Sequence, residues 1–168
     1  VIDGGGTAGW ITALNLLQKT FAEITVVSSK DIPIIGVGES TTGKLHELIN
    51  VSNGHIKIDN KDLLKKTNST YKLGIKHSNW YEKNKSFWSP LGVEIKNPNR
   101  YPHESYDLYR IYHVAKELQF EQNFLSKCMK ESKLPFKYFN NFHVAYHIDT
   151  YKFGQYIKDK VLESDRVT

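Results

Sequence analysis

Cysteine is nearly absent: Cys128 stands alone, so no intrachain disulfide can form. That absence fits a reducing, cytoplasmic compartment. The lone thiol reads as a small helical core residue rather than a reactive one. No apolar run approaches the length a bilayer crossing needs, and the first residues carry no charged-then-apolar leader. Arginine is scarce as well. Arg100, Arg110 and Arg166 are the only ones, although the net charge is +5. Planar forks are what base and phosphate recognition favours, and the lysines here are spread along the chain rather than gathered. The excess charge therefore reads as a solvated lysine surface, with neither nucleic acid nor membrane as partner. No internal repeat or low-complexity tract is present.

What remains is enough for a globular domain: 168 residues, 39% hydrophobic and 24% charged. Val1-Ile2 lead into the cluster Gly4-Gly5-Gly6-Thr7-Ala8-Gly9. Apolar residues then recur at Ala8, Ile11, Leu14, Leu17 and Phe21, a helical stripe. The β-branched run Ile24-Thr25-Val26-Val27 follows as a strand. Strand, glycine turn, helix and strand make the opening βαβ unit of an α/β dinucleotide fold. Gly4, Gly6 and Gly9 have the GxGxxG spacing. The first glycine permits the turn, the second lets a pyrophosphate approach, and the third lets helix pack on strand. A carboxylate usually ends the second strand to hold the ribose hydroxyls. Ser28 stands there instead, followed by Ser29, with Asp31 three residues on.

Further along, Ile34 to Thr42 reads as a glycine-rich loop leading into a helix around Gly43 to Ile49. A helical turn is expected at Asp62 to Lys66. Ser69 to Trp80 alternates as one strand, with Tyr71, Leu73 and Ile75 on one face. Lys72, Gly74 and Lys76 fall on the other, which would set the two lysines roughly 13 Å apart on a single strand. Ser86 to Asn99 is turn-rich. Glu104 to Met129 reads as a long helix, and Phe142 to His147 as a strand. Asp149 should cap a last helix burying Phe153, Tyr156, Ile157 and Val161. Arg166-Val167-Thr168 would begin another strand with nothing to pair with. Both ends look cut through an element, so the chain is expected to be a piece of a longer protein. His143 and His147 could hold a metal if they lay on a helix. The residues between them favour strand and no third ligand is evident, so a structural role is expected.

Four segments carry a resemblance. GGGTAGW (Gly4 to Trp10), IPIIGVGEST (Ile32 to Thr41), YKLGIKHSNW (Tyr71 to Trp80) and AYHID (Ala145 to Asp149) stand in this order. The chain thereby resembles the flavin-dependent tryptophan halogenases across nearly its whole length. The resemblance implies a Rossmann-like FAD-binding fold of the flavin monooxygenase type, forming the N-terminal part of a single module over residues 1–168. It implies FAD along Gly4, Gly6, Thr7, Ala8, Gly9 and Ser28. Gly36, Val37, Gly38, Glu39, Ser40 and Thr41 would form a strap over the flavin, Gly36 and Gly38 letting backbone approach a flat ring. It also implies that reduced FAD, O2 and a halide (chloride or bromide) yield hypohalous acid, which travels a tunnel to a lysine beside an aromatic small-molecule substrate.

That lysine would be Lys76. It would either donate a hydrogen bond to the oxidant or carry the halogen as a haloamine; an ammonium can only donate, and burial is what frees an amine to attack. A separate flavin reductase is implied as partner, and a homodimer is compatible with the family. Downstream, the family's aromatic-aromatic-His-Pro-Phe-Gly segment reads here Phe87-Trp88-Ser89-Pro90-Leu91-Gly92. Ser89, Pro90 and Leu91 would line the substrate pocket, with less stacking area than the family's His and Phe provide. Another indole, a pyrrole or a phenol fits this pocket at least as well as free tryptophan. The family's WxWxIP segment and the glutamate that partners the lysine would lie beyond Thr168. An aromatic-hydroxylating flavin monooxygenase, or an inactive flavin-binding remnant, remains an alternative.

Overall fold

The computed structural model describes residues 1–29, 31–32, 36–49, 56–80, 82–90, 124–134 and 145–168. They divide into two units: Val1–Thr41, Leu45–Thr70 and Tyr146–Thr168 form the first, and Thr42–Lys44 with Tyr71–Ala145 the second. Among the described residues no helix is long and apolar enough to cross a membrane.

In the first unit, β1 (Ile2–Asp3) runs parallel to β2 (Val26–Val27), with Ile2 opposite Val26. Helix α1 (Thr7–Lys19) makes the crossover between them. Its buried side is Trp10, Ala13, Leu14 and Leu17. Each fully buried leucine contributes roughly 2 kcal/mol of transfer free energy. The expected stripe is thus right at Leu14 and Leu17 but wrong at its ends. Ala8 is exposed, and Phe21 lies past the helix with 88% of its surface in solvent. The physical reason is the stop at Thr20: this residue turns extended after donating its N–H to the Leu16 carbonyl, so the helical period ends before Phe21.

The carboxyl end of the chain does find a partner, contrary to expectation. Val167 bridges Ile24 in parallel, and Ile24 and Val26 donate to the carbonyls of Arg166 and Thr168 at 2.8 and 2.7 Å. The segment entering β2 therefore lies between β1 and the last residues. Arg166 also reaches back to the C-terminal end of α1, donating to the Thr20 and Leu17 carbonyls at 2.8 and 2.9 Å. Those are carbonyls a helix end leaves without internal partners, and a cation is the favourable charge there.

Helix α2 spans Gly43–Ile49, as expected. The helical turn expected near Asp62 is a full helix, α3 (Asn60–Thr67), capped by Asp59, whose carboxylate accepts the Asp62 N–H at 2.8 Å. It ends at Asn68, whose φ of 51° lies in the left-handed region that asparagine tolerates better than most residues. Ser69 to Trp80 is not one strand. It breaks at Leu73 into β4 (Thr70–Lys72) and β5 (Gly74–Ser78), which join different sheets. Lys72 and Lys76 therefore do not share a strand face. Alternation alone cannot register a change of partner halfway along a run.

The loop expected over Ile34 to Thr42 contains a strand, β3 (Gly38–Ser40). In the turn-rich Ser86 to Asn99 segment, Ser86–Pro90 is strand β6. Helix α4 (Phe124–Lys130) is the described part of the expected long helix; residues 104–123 lie outside the described residues. Strand β7 spans Ala145–Asp149. Helix α5 (Thr150–Val161) follows, and the Asp149 carboxylate accepts the Lys152 N–H at 3.1 Å. Phe153, Tyr156, Ile157 and Val161 are all buried, as the spacing predicts. This helix packs against α1 and α3. In the second unit, β5 and β6 form an antiparallel hairpin against which α4 packs. Leu73 and Cys128 form its buried cluster with Tyr71 and Met129 at the edge, and burial pushes the Cys128 thiol above its ordinary pKa.

Candidate functional site

The three glycines of the opening loop have three different surroundings. Gly4 has φ +123°, a conformation that L side chains rarely adopt, and its N–H donates to the Val27 carbonyl at 2.9 Å. A Cβ on Gly9 would stand 1.9 Å from the Gly4 carbonyl oxygen, so α1 is pressed onto the loop without room for a methyl. A Cβ on Gly6 would meet nothing within 4 Å. Gly6 is the N-cap of α1, with no side chain capping the helix and no acidic residue in the first turn. Open space therefore lies before helix N–H groups that no cap satisfies, with Thr7, Ala8 and Gly9 in the first turn. That is a fit for an anionic phosphate pair. Trp10 steadies the loop from within, its indole N–H donating to the Gly5 carbonyl at 2.8 Å. Ser28 is exposed and sits flush against the loop: a Cβ on Gly5 would overlap its side chain at 2.3 Å. A ribose there would meet a hydroxyl rather than a carboxylate. Asp3 ends β1 and is exposed.

The strap residues form the edge of a second feature in the same unit. β3 pairs antiparallel with β7, placing Gly38 opposite Asp149, Glu39 opposite Ile148 and Ser40 opposite His147. Thr41 locks the end of this pairing. Its N–H donates to the Tyr146 carbonyl at 2.8 Å, and its hydroxyl accepts the Tyr146 N–H at 2.9 Å. Tyr146 is fully buried, its hydroxyl 2.7 Å from the His46 ring nitrogen Nδ1 and donating to Asn60 at 3.0 Å. Gly36 differs from the expectation that both strap glycines serve a flat ring. A Cβ there would lie 2.6 Å from the Tyr151 Cβ, so its smallness is used in packing on the start of α5. A Cβ on Gly38 would meet nothing within 4 Å.

The strap from Gly36 to Ser40 lines an open cleft of about 590 Å³, together with Asn68, Thr70, His147, Ile148 and Asp149. Sequence reasoning did not connect Asn68 and Thr70 with the strap. Their only signal was polarity at a helix end. His147, read as a structural residue, is exposed in this cleft. His143 lies outside the described residues, so the histidine pair is not described. Among the described residues no group of three His, Cys, Asp or Glu side chains could hold a metal ion.

Lys76 belongs to the second unit. It is exposed, directly opposite Trp88 in the hairpin, with its ammonium nitrogen 5.5 Å from the centre of the indole ring. The expectation of a tunnel-fed amine thus meets a lysine over an aromatic face. Next along the hairpin, His77 stacks on Phe87 with ring centres 4.6 Å apart, and Trp80 meets the His77 ring edge-on while 74% exposed. The register places Ser89 opposite Ile75 and Pro90 opposite Gly74, so both lie within two positions of the Lys76–Trp88 pair. Leu91 lies outside the described residues.

The family model described as tryptophan halogenase matches residues 1–167. Tryptophan 6-halogenase ThaL of Streptomyces albogriseolus is 32% identical over 146 residues, covering 80% of this chain and 27% of that protein. 7-Chloro-L-tryptophan 6-halogenase KtzR of Kutzneria sp. (strain 744) is 41% identical over 94 residues, covering 54% of this chain and 17% of that protein. The solved flavin-dependent halogenase from Xanthomonas campestris superposes with a TM-score of 0.71 at 22% identity, over 99% of this chain and 33% of that one. The chain thus spans between about a sixth and a third of these relatives. Its fold is the Rossmann-like FAD-binding fold of the flavin-dependent halogenases, and the chain belongs to the tryptophan halogenase family.

Proposed function

We propose that this protein is an FAD-dependent halogenase of an electron-rich aromatic compound of indole, pyrrole or phenol type. Both units would belong to one FAD-binding module. When bound, reduced FAD would supply two electrons to O2, the oxidant that converts chloride or bromide to hypohalous acid, with water and oxidised FAD as the other products. The chain's own residues do the rest. Gly4 turns the loop, Gly6 leaves room, and the first N–H groups of α1 face the pyrophosphate. Ser28 donates or accepts at the ribose, and the strap from Gly36 to Thr41 borders the flavin. Lys76 receives the oxidant and either holds it at the substrate through a donated hydrogen bond or, as the neutral amine, takes its halogen to form a haloamine with release of water. Trp88 braces that side chain, because an ammonium over an indole face is attracted by the ring quadrupole. Ser89, Pro90 and Leu91 shape the pocket, which stacks less than an imidazole–phenyl pair and so suits an aromatic other than free tryptophan. A separate flavin reductase would deliver the reduced cofactor, and a homodimer is compatible with this arrangement.

The observation that carries the reading is the open, uncapped start of α1 beyond Gly6, within a chain that matches the halogenase family along its length. A second reading, aromatic hydroxylation, draws on the exposure of Lys76. One assay separates the two. Whole protein supplied with reduced FAD, O2 and bromide should give a brominated aromatic product, absent in Lys76→Ala although that variant still retains FAD. Product carrying new oxygen, formed equally well without halide and unaffected by Lys76→Ala, would overturn halogenation in favour of hydroxylation.

A further inference from the structure

We infer that Thr150 is a positioning residue that ties the strap to the nucleotide end of α1, so that filling the glycine loop is felt at the strap. This rests on the reading that the loop holds the FAD pyrophosphate. Thr150 is the first residue of α5 and is buried, at 7% exposure. Its N–H donates to the Val37 carbonyl at 3.3 Å, and its hydroxyl donates to the same oxygen. Its own carbonyl accepts the Thr7 hydroxyl at 3.3 Å. Thr7 is the first residue of α1, next to the open space at Gly6. Val37 follows Gly36, which packs directly on Tyr151, the neighbour of Thr150. A single residue thus holds the two segments that the functional reading assigns to opposite ends of the cofactor.

The geometry has a consequence for coupling. Val37 contributes one carbonyl with two lone pairs, and Thr150 occupies it with both of its donors. The strap at that point is anchored to the first residue of α5, one register position beyond the Gly38–Asp149 pair of its own sheet. Thr7 links the same α5 residue to the helix start that an anion would order. Ordering of the α1 start is therefore passed through Thr7 and Thr150 to Val37, with no contact needed between the strap and the adenosine half of the cofactor. Coupling of this sort requires that the ligand bind the tied arrangement better than the untied one.

ADP is the probe, since it fills the pyrophosphate end and lacks the isoalloxazine ring. Hydrogen–deuterium exchange is measured by mass spectrometry on the full-length protein, with and without saturating ADP. ADP should slow exchange of the amides over residues 36–41 by about two- to ten-fold, the range one or two hydrogen bonds would produce. Thr150→Val keeps the shape and the backbone N–H bond to Val37 but removes the hydroxyl, and should reduce that slowing. Thr150→Ser should restore it, which a purely space-filling role would not predict. If Thr150→Val does not fold, Thr7→Val at saturating ADP breaks the same chain of contacts and should likewise uncouple the strap. Binding of ADP to the native protein with no change at residues 36–41, or an unchanged response in the folded Thr150→Val or Thr7→Val protein, would overturn the tie and leave the FAD reading intact. Failure of the native protein to bind either ADP or FAD would overturn both.

Discussion

An alanine at Gly9 would carry its methyl to 1.9 Å from the Gly4 carbonyl oxygen, about 1.5 Å short of ordinary contact, with the Gly4 carbonyl carbon at 3.1 Å. The obstacle is backbone and cannot rotate away. Gly4 is also held from the other side by its bond to Val27. Overpacking of this kind costs about 1–3 kcal/mol, and a backbone obstacle puts Gly9→Ala at the upper end. Replacing a helical glycine by alanine returns about 1 kcal/mol. Gly9→Ala should therefore destabilise by about 2 kcal/mol. Gly6→Ala is the contrasting case. Gly6 has φ −77° and ψ 177°, which any residue adopts, and its methyl would meet no atom. Alanine is a poorer N-cap than glycine, a cost of at most about 1 kcal/mol. Yet that methyl would stand where the pyrophosphate approaches, so FAD affinity should fall at least ~10-fold, equivalent to about 1.4 kcal/mol. Urea unfolding of the full-length protein reads the first quantity and flavin fluorescence titration the second. Undiminished stability in Gly9→Ala, or native FAD affinity in Gly6→Ala, would refute the division of labour among the three glycines.

Three further outcomes follow from contacts outside the loop. The Tyr156 hydroxyl donates to Asp62 at 3.0 Å, and burial together with that carboxylate raises the phenol above its ordinary 10.0. A raised folded-state value means stability that is fully present below the unfolded-state value and lost as pH climbs through the folded one, so decline should begin near pH 10. Tyr156→Phe should flatten that alkaline loss in denaturation curves, and an unaltered alkaline limb would count against it. Asp62 behaves oppositely. Lys66 and Tyr156 hold its carboxyl below the ordinary 3.8, so its contribution is present above that value and lost as pH falls through the lowered one; Asp62→Asn should remove this part of the acid dependence. Arg166→Ala strips both side-chain donors from the end of α1 and should cost about 1–2 kcal/mol in urea unfolding, whereas an effect near zero would mean that water caps Leu17 and Thr20 equally well.

Several elements were legible because their cause is local. Asp149 before a 3.6-residue apolar period marks α5 and its buried face, and every predicted core residue of that helix is buried. Gly4, Gly6 and Gly9 read correctly as a loop before a helix because turn, space and close packing are all demands on one short stretch. The failures were non-local. Ser86 to Pro90 looks like punctuation, yet it is a strand because β5 lies beside it. Val167 looked unpaired, since its partner Ile24 is more than a hundred residues away. Gly36 and Gly38 look alike in sequence, but only Gly36 has Tyr151 against it.

Residue type and spacing alone determined that this chain would start with a nucleotide-type glycine loop, and that it would carry the four halogenase-like segments in order. Those are properties of neighbours in the chain, where backbone sterics and helical period act directly. Tertiary structure alone decided that Thr150 joins α1 to the strap, that Arg166 caps a helix almost 150 residues earlier, and that Lys76 stands over Trp88. Hydrogen bonds and ring contacts of that kind depend on which segments meet in space, and pairing between distant segments leaves no period in the sequence to read.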